Sequence, residues 1–185
     1  MGQQIASKAQ LRMAFLRWAL VLVPLILLLG MGSGLLANSG PQNSWYQLLV
    51  KPAIMPPAPL FGIVWPILYV LMGLALTFVV VARRARGREV AIAVFVVQLV
   101  LNLIWSPLFF GLHQVSMALT LIAILLLAVA ATVVLFWRVR TVAGLLLLPY
   151  LGWIAFATVL NYQYDILNPD AETLAPAGSR TQISL

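Results

Sequence analysis

Residues 115–137 read VSMALTLIAILLLAVAATVVLFW, and no side chain among them is charged. An uncharged apolar run of this length crosses a bilayer as a helix, because about 20 residues rising 1.5 Å each cover a hydrocarbon layer of roughly 30 Å. Outward from it, four more runs share this character, 17–37, 62–82, 90–111 and 141–164, the first of them after its opening Arg17. In lipid every backbone polar group must be satisfied internally, which such runs achieve only as helices. They predict an all-α integral membrane bundle of five transmembrane helices over 17–164. Composition agrees, with 63% hydrophobic and 8% charged residues among 185 and a mean hydropathy of +1.05. That is too little charge to cover a soluble surface. The first run follows basic residues, as a signal peptide would. It is too long for a signal core, and Leu35-Leu36-Ala37 is a poor cleavage site, so it reads as a retained span.

The charges give the runs a direction. Lys8, Arg12 and Arg17 lie in or beside a basic N-terminal extension (1–16), Arg83, Arg84, Arg86 and Arg88 between the second and third runs, and Arg138 and Arg140 between the fourth and fifth. Nine of the 11 basic residues thus fall on one side, leaving Lys51 and Arg180 on the other. The positive-inside rule then predicts the N-terminus inside and the C-terminus outside, most simply in a bacterial cytoplasmic membrane, with an outer membrane as the alternative. The net charge of +7 is therefore a topology signal, and nucleic acid is not an expected partner.

Most connections are short, but 38–61 is long. It carries Trp45-Tyr46, suited to a membrane interface, and four prolines among Pro52, Pro56, Pro57 and Pro59. That composition predicts stiff, extended backbone, either a plain connector or a lid over the bundle. The tail 165–185, rich in Pro, Ala, Gly, Ser and Thr after Asn168, reads as disordered.

Side chains that lipid would not select mark the interior. Gln98, Asn102, Trp105 and Phe109 form one stripe at helical spacing, and Tyr150, Trp153, Ala157, Asn161 and Tyr164 form another. The second span adds Trp65, Tyr69, Met72 and Leu76. At about 1.5 Å per residue, Trp65, Trp105 and Trp153 lie roughly 5, 9 and 17 Å below the outer helix ends. Their convergence under the proline loop fits a lidded pocket. It equally fits a packed core, where Asn and Gln bridge helices and Trp fills volume. Gly30 and Gly34 form a GxxxG, a mark of close helix packing within or between chains.

Several classes are excluded. There is no cysteine, no paired carboxylate within a span, no nucleophile elbow and no phosphate loop. No metal site is expected, and His113 is a lone loop histidine. The spans carry no ionisable residue at mid-membrane, which disfavours ion-coupled transport.

The residues also resemble a known family. Trp45-Tyr46…Leu49…Lys51-Pro52…Pro56-Pro57, followed by Trp65…Leu68-Tyr69…Met72-Gly73, is similar to the first loop and second helix of the translocator protein family. This family is also called the tryptophan-rich sensory protein or peripheral-type benzodiazepine receptor family. Gln98-Leu99…Leu101-Asn102…Trp105…Phe109-Phe110-Gly111 resembles its third helix, and Pro149-Tyr150…Trp153…Phe156-Ala157-Thr158-Val159-Leu160-Asn161-Tyr162 its fifth. The resemblance implies a homodimer with a pocket beneath the first loop, binding porphyrins or haem, sterols in animals, and benzodiazepine-type molecules. It places Trp65, Tyr69, Asn102, Trp105, Trp153 and Ala157 in that pocket. It also implies catalytic roles for Trp65 and Trp153 wherever members degrade protoporphyrin in light.

Three departures matter. Tyr162-Gln163-Tyr164-Asp165 has an acid where the animal sterol motif has a base; Met117 and Leu121 stand where animal members have Trp and Asp; and the basic N-terminal extension is long. The expectation is therefore a membrane protein that binds a tetrapyrrole (protoporphyrin IX or haem) as ligand, with no obligatory cofactor. It would serve tetrapyrrole transport, regulation or stress sensing. The alternatives are a photo-oxidative porphyrin-degrading enzyme and a sterol- or lipid-like ligand transporter. The expected ligand-binding set is Trp65, Tyr69, Gln98, Asn102, Trp105, Phe109, Tyr150, Trp153, Ala157 and Asn161, with Lys51 as the outer cation for a propionate.

Overall fold

The computed structural model describes residues 8–174. Its elements are α1 (Lys8–Leu36), α2 (Ser44–Leu48), α3 (Ala58–Val81), α4 (Arg88–Ser106), α5 (Val115–Val139) and α6 (Thr141–Leu167), with a 3₁₀ turn at Ala171–Thr173. The described residues contain no strand, and five of the helices are long and apolar enough to cross a membrane. The chain is an all-α integral membrane protein.

Boundaries differ from the expected spans where hydropathy and helix propensity part company. α1 begins at Lys8 rather than Arg17. The residues before the apolar run (Ala, Gln, Leu, Arg, Met) are good helix formers, so the helix extends past the part that lipid covers. α3 starts at Ala58, four residues into what was expected as loop, with Pro57 as its N-cap and a proline in its first turn, where no N–H is needed. The long loop is not extended throughout. Asn43 accepts the Tyr46 backbone N–H at 2.9 Å and nucleates α2, and its amide also donates to the Phe110 carbonyl at 3.1 Å.

α4 ends in a widened π turn, Pro107–Gly111. Pro107 has no N–H to give the carbonyl of Leu103, and Ser33 of α1 donates to that carbonyl instead, at 2.6 Å. The wide turn stacks Trp105 on Phe109, ring centroids 5.1 Å apart.

Around the bundle the helices run α1, α3, α6, α5, α4 and back to α1. Packing is closest where residues are smallest. A Cβ on Gly73 would lie 2.7 Å from Val23 Cα, and one on Gly30 would lie 2.1 Å from the Tyr69 ring. The first glycine of the GxxxG is therefore used inside the chain, between α1 and α3. Half of the bundle, toward the arginine loops, is solid core: Met72, Ala75, Val79, Phe95, Val129, Phe136 and Leu147 are almost wholly buried. The other half holds a cavity.

Residues 165–167 complete α6 and the segment after it is ordered, which corrects the expectation of a disordered tail for residues 165–174. Asn168 is buried and its amide pairs with both backbone groups of Val50 (N–H to Oδ1 2.7 Å, Nδ2 to carbonyl 3.1 Å). The carbonyl of Ala171 accepts the indole N–H of Trp45 at 2.9 Å. Polar composition read as disorder here because the partners lie in a loop more than a hundred residues earlier. Residues 175–185 lie outside the described residues.

Candidate functional site

Beneath the long loop, all five spanning helices surround a cavity of about 460 Å³. This is the size range of small-molecule sites. α3 contributes Trp65 and Tyr69, α4 Asn102 and Trp105, the π turn after it Phe109, and α6 Trp153, Ala157 and Asn161. Ile122 and Leu125 of α5 and Gly30 and Gly34 of α1 complete the wall, and Tyr46, Met55 and Phe61 lie over it. Helical spacing explains the arrangement: each stripe turns one face inward, and five such faces leave a hollow where side chains do not meet.

The aromatic rings form a continuous lining. Trp65 stacks on Tyr69 (5.3 Å, 27°) and meets Trp153 edge-on at 6.5 Å (85°), while Phe61 lies edge-on to Trp153 at 5.5 Å. Polar groups are few and mostly committed. Tyr69 donates to Asn102 Oδ1 at 3.2 Å, and Trp105 donates to Asn161 Oδ1 at 3.1 Å. Asn161 in turn donates to the Val115 carbonyl at 3.2 Å. Tyr46 and Tyr164 share a 2.7 Å hydroxyl contact beneath the loop. Among the described residues, no Lys, Arg, His, Asp or Glu lines the cavity. Its interior is neutral and apolar, suited to a flat, uncharged ring system.

Eight of the expected binding residues come together there. Gln98 and Tyr150 do not. They lie in the core, where the Tyr150 hydroxyl donates to Gln98 Oε1 at 3.0 Å and neither faces the cavity. Both share the inward stripe, but a stripe continues into the solid half of the bundle, and spacing does not say where the hollow stops. Gln98 Nε2 and Trp153 Nε1 are buried donors with no partner in the described residues.

Lys51 is also placed elsewhere. Its ammonium donates to the Tyr46 carbonyl and sits 3.4 Å from the centre of the Tyr46 ring. Burial lowers its pKa to about 8. It braces the loop residue that covers the cavity rather than lining the cavity. His113, with φ of 60°, stacks on Trp45 (4.4 Å, 15°). Tyr46, Met55, Phe61 and the run Asn38–Gln42 also line the cavity, although no helical stripe marks them in the sequence. The interfacial pair Trp45-Tyr46 was the one signal that could have pointed to Tyr46.

A model of the TspO/MBR family matches residues 20–167, which include most of α1, the other four spanning helices and the whole cavity. The chain belongs to the TspO/MBR family. It is similar to protein CrtK of Rhodobacter capsulatus (39% identical over 130 residues, 69% of this chain and 80% of the relative). It is also similar to the tryptophan-rich protein TspO of Chlorobaculum tepidum (41% over 130 residues, 70% and 82%). The human translocator protein is 39% identical over 120 residues, 64% of this chain and 71% of the relative. The aromatic cavity of this TspO/MBR protein lies inside the matched region, and Tyr46, Trp65, Tyr69, Asn102, Trp105 and Trp153 of its lining belong to the motifs that resemble the family.

Proposed function

We propose that this TspO/MBR protein binds a tetrapyrrole, protoporphyrin IX or haem, in the cavity beneath the first loop, and serves its handling or sensing in the membrane. The observation that carries the reading is the neutral aromatic lining, in which Trp65, Tyr69 and Trp153 offer ring faces and edges to a flat π-system. The same neutrality dictates orientation. Propionates find no cation inside among the described residues, so they are directed to the polar mouth at Asn38–Gln42, while the macrocycle occupies the aromatic part. Nine basic residues on the opposite face support an orientation with the cavity on the outer side.

Titration of purified protein with protoporphyrin IX and with its uncharged dimethyl ester tests this. Both should quench tryptophan fluorescence saturably, with affinities within about tenfold, since no buried charge pairs with the acid. Trp65→Phe and Trp153→Phe should each weaken binding by about 1 kcal/mol, the scale of one aromatic contact. An absence of saturable quenching, or unaltered binding by both variants, would remove the cavity from consideration.

The edge contact between Trp65 and Trp153 favours one second reading, light-driven oxidation of the bound tetrapyrrole through a tryptophan radical. In that case Trp→Phe abolishes bleaching under illumination while binding largely persists, because phenylalanine is much harder to oxidise.

A further inference from the structure

The arginines at the end of the bundle away from the cavity form a feature that ligand binding does not use. In the α3–α4 turn, Arg83, Gly87, Arg88 and Glu89 border a separate hollow of about 210 Å³. Arg88 is fixed there: its Nε donates to the carbonyls of Val79 and Val80, both at 3.2 Å, at the C-terminal end of α3. This holds the guanidinium in place and leaves its two terminal nitrogens free of those bonds. Gly87 adopts φ of 76°, and nothing lies within 4 Å of the position a Cβ would take, so the hollow stays open on that side.

The charge around it is one-sided. Arg12, Arg17, Arg83, Arg84, Arg86, Arg138 and Arg140 lie at the same end as Arg88, and Glu89 is the one acid in these segments. The other acids, Asp165, Asp170 and Glu172, belong to the opposite end, where Asp165 and Glu172 bond Ser116. The basic rim caps five apolar spans, at the level where lipid headgroups sit. A planar guanidinium matches phosphate oxygens in pairs, and basic hollows between spanning helices at this depth suit anionic headgroups.

We propose that the Arg83–Arg88 hollow is a binding site for the phosphate of an anionic membrane lipid, with Arg88 as the fixed donor and Arg83 as the second. Glu89 at its edge sets the selectivity: a monoanionic phosphodiester fits beside one carboxylate, and a dianionic free phosphate is repelled more strongly. The site is independent of what the cavity binds.

The test uses the full-length protein in nanodiscs of equimolar phosphatidylcholine and phosphatidylglycerol, extracted into mild detergent and examined by native mass spectrometry. Phosphatidylglycerol should be retained preferentially. Arg83→Gln, which leaves the Arg88 cap on α3 intact, should reduce that retention about fivefold, the scale of one basic residue at an anionic surface. Arg84→Gln, outside the hollow, is the control for general rim charge and should have a clearly smaller effect. Equal retention of the two lipids, or equal losses from Arg83→Gln and Arg84→Gln, would overturn the site. Displacement of the lipid by millimolar inorganic phosphate at constant ionic strength would overturn the lipid assignment in favour of a free anion.

Discussion

The hydroxyl of Ser33 donates to the carbonyl of Leu103 at 2.6 Å, and this carbonyl is available because Pro107 cannot use it. A helix-interior proline orphans the acceptor four residues before it, and in a membrane no water is at hand to replace the lost donor. α1 supplies the replacement. Ser33→Ala should therefore cost about 1–2 kcal/mol, seen as a lower unfolding temperature in detergent. Ser39→Ala, which removes an exposed bond to Gly34, should be nearly neutral. Equal effects of the two would mean the proline carbonyl needs no partner.

Gly30 and Gly32, two residues apart in α1, should behave oppositely. A Cβ on Gly30 would sit 2.1 Å from the Tyr69 ring, whereas one on Gly32 meets nothing within 4 Å. Gly30→Ala must push Tyr69 from its place and loosen its bond to Asn102, at a cost of about 1–3 kcal/mol. Gly32→Ala should match or slightly exceed the parent in stability. A tolerated Gly30→Ala would show that Tyr69 is not held against α1.

Asn168 fastens the loop to the end of α6 through both backbone groups of Val50, and its amide also donates to the Tyr164 carbonyl at 2.9 Å. Asn168→Ala strands the Val50 N–H and should destabilise by about 1–3 kcal/mol. It should also speed amide hydrogen exchange in residues 45–50, ahead of the helices. Unchanged exchange there would mean the loop is held without this residue.

Lys51 provides a pH signature. Burial lowers its pKa from 10.5 to about 8, so between these values the unfolded chain binds more protons than the folded one. Stability should then rise with pH from about 8 toward 10. Above 10 Tyr46 works the other way: burial raises its pKa despite the opposing hydrogen bond from Tyr164, and stability should fall. Lys51→Met should flatten the rise between about 8 and 10 while the loss above 10 remains. A rise that survives in Lys51→Met would assign it to another group.

Topology can be read by labelling, since the chain has no cysteine of its own. Ala53 in the loop and Arg84 in the α3–α4 turn are exposed and make no side-chain hydrogen bond that a thiol would disrupt. An impermeant maleimide applied to intact cells should label Ala53→Cys and not Arg84→Cys. The reverse pattern would invert the bundle and the cavity with it.

Much of this architecture was legible in the sequence for a simple reason. Lipid removes the alternatives: an uncharged run such as 115–137 can only be a helix, and the side chains lipid would reject must face inward. That logic located the five spans and the inward stripes that carry Trp65, Asn102, Trp105 and Trp153, which by spacing alone fit a pocket and a packed core equally. It did not locate where the hollow ends. Tyr150 and Trp153 sit on one stripe, yet Tyr150 is packed against Gln98 while Trp153 lines the cavity, because depth along a stripe becomes solid or empty only when the facing helices are in place. Polar segments outside lipid were the least legible. Lys51 bracing Tyr46, and Asn168 and Ala171 holding the loop, are pairings between residues whose own sequence neighbourhoods say nothing of each other. In water a polar side chain has many possible partners, and only the tertiary structure selects one.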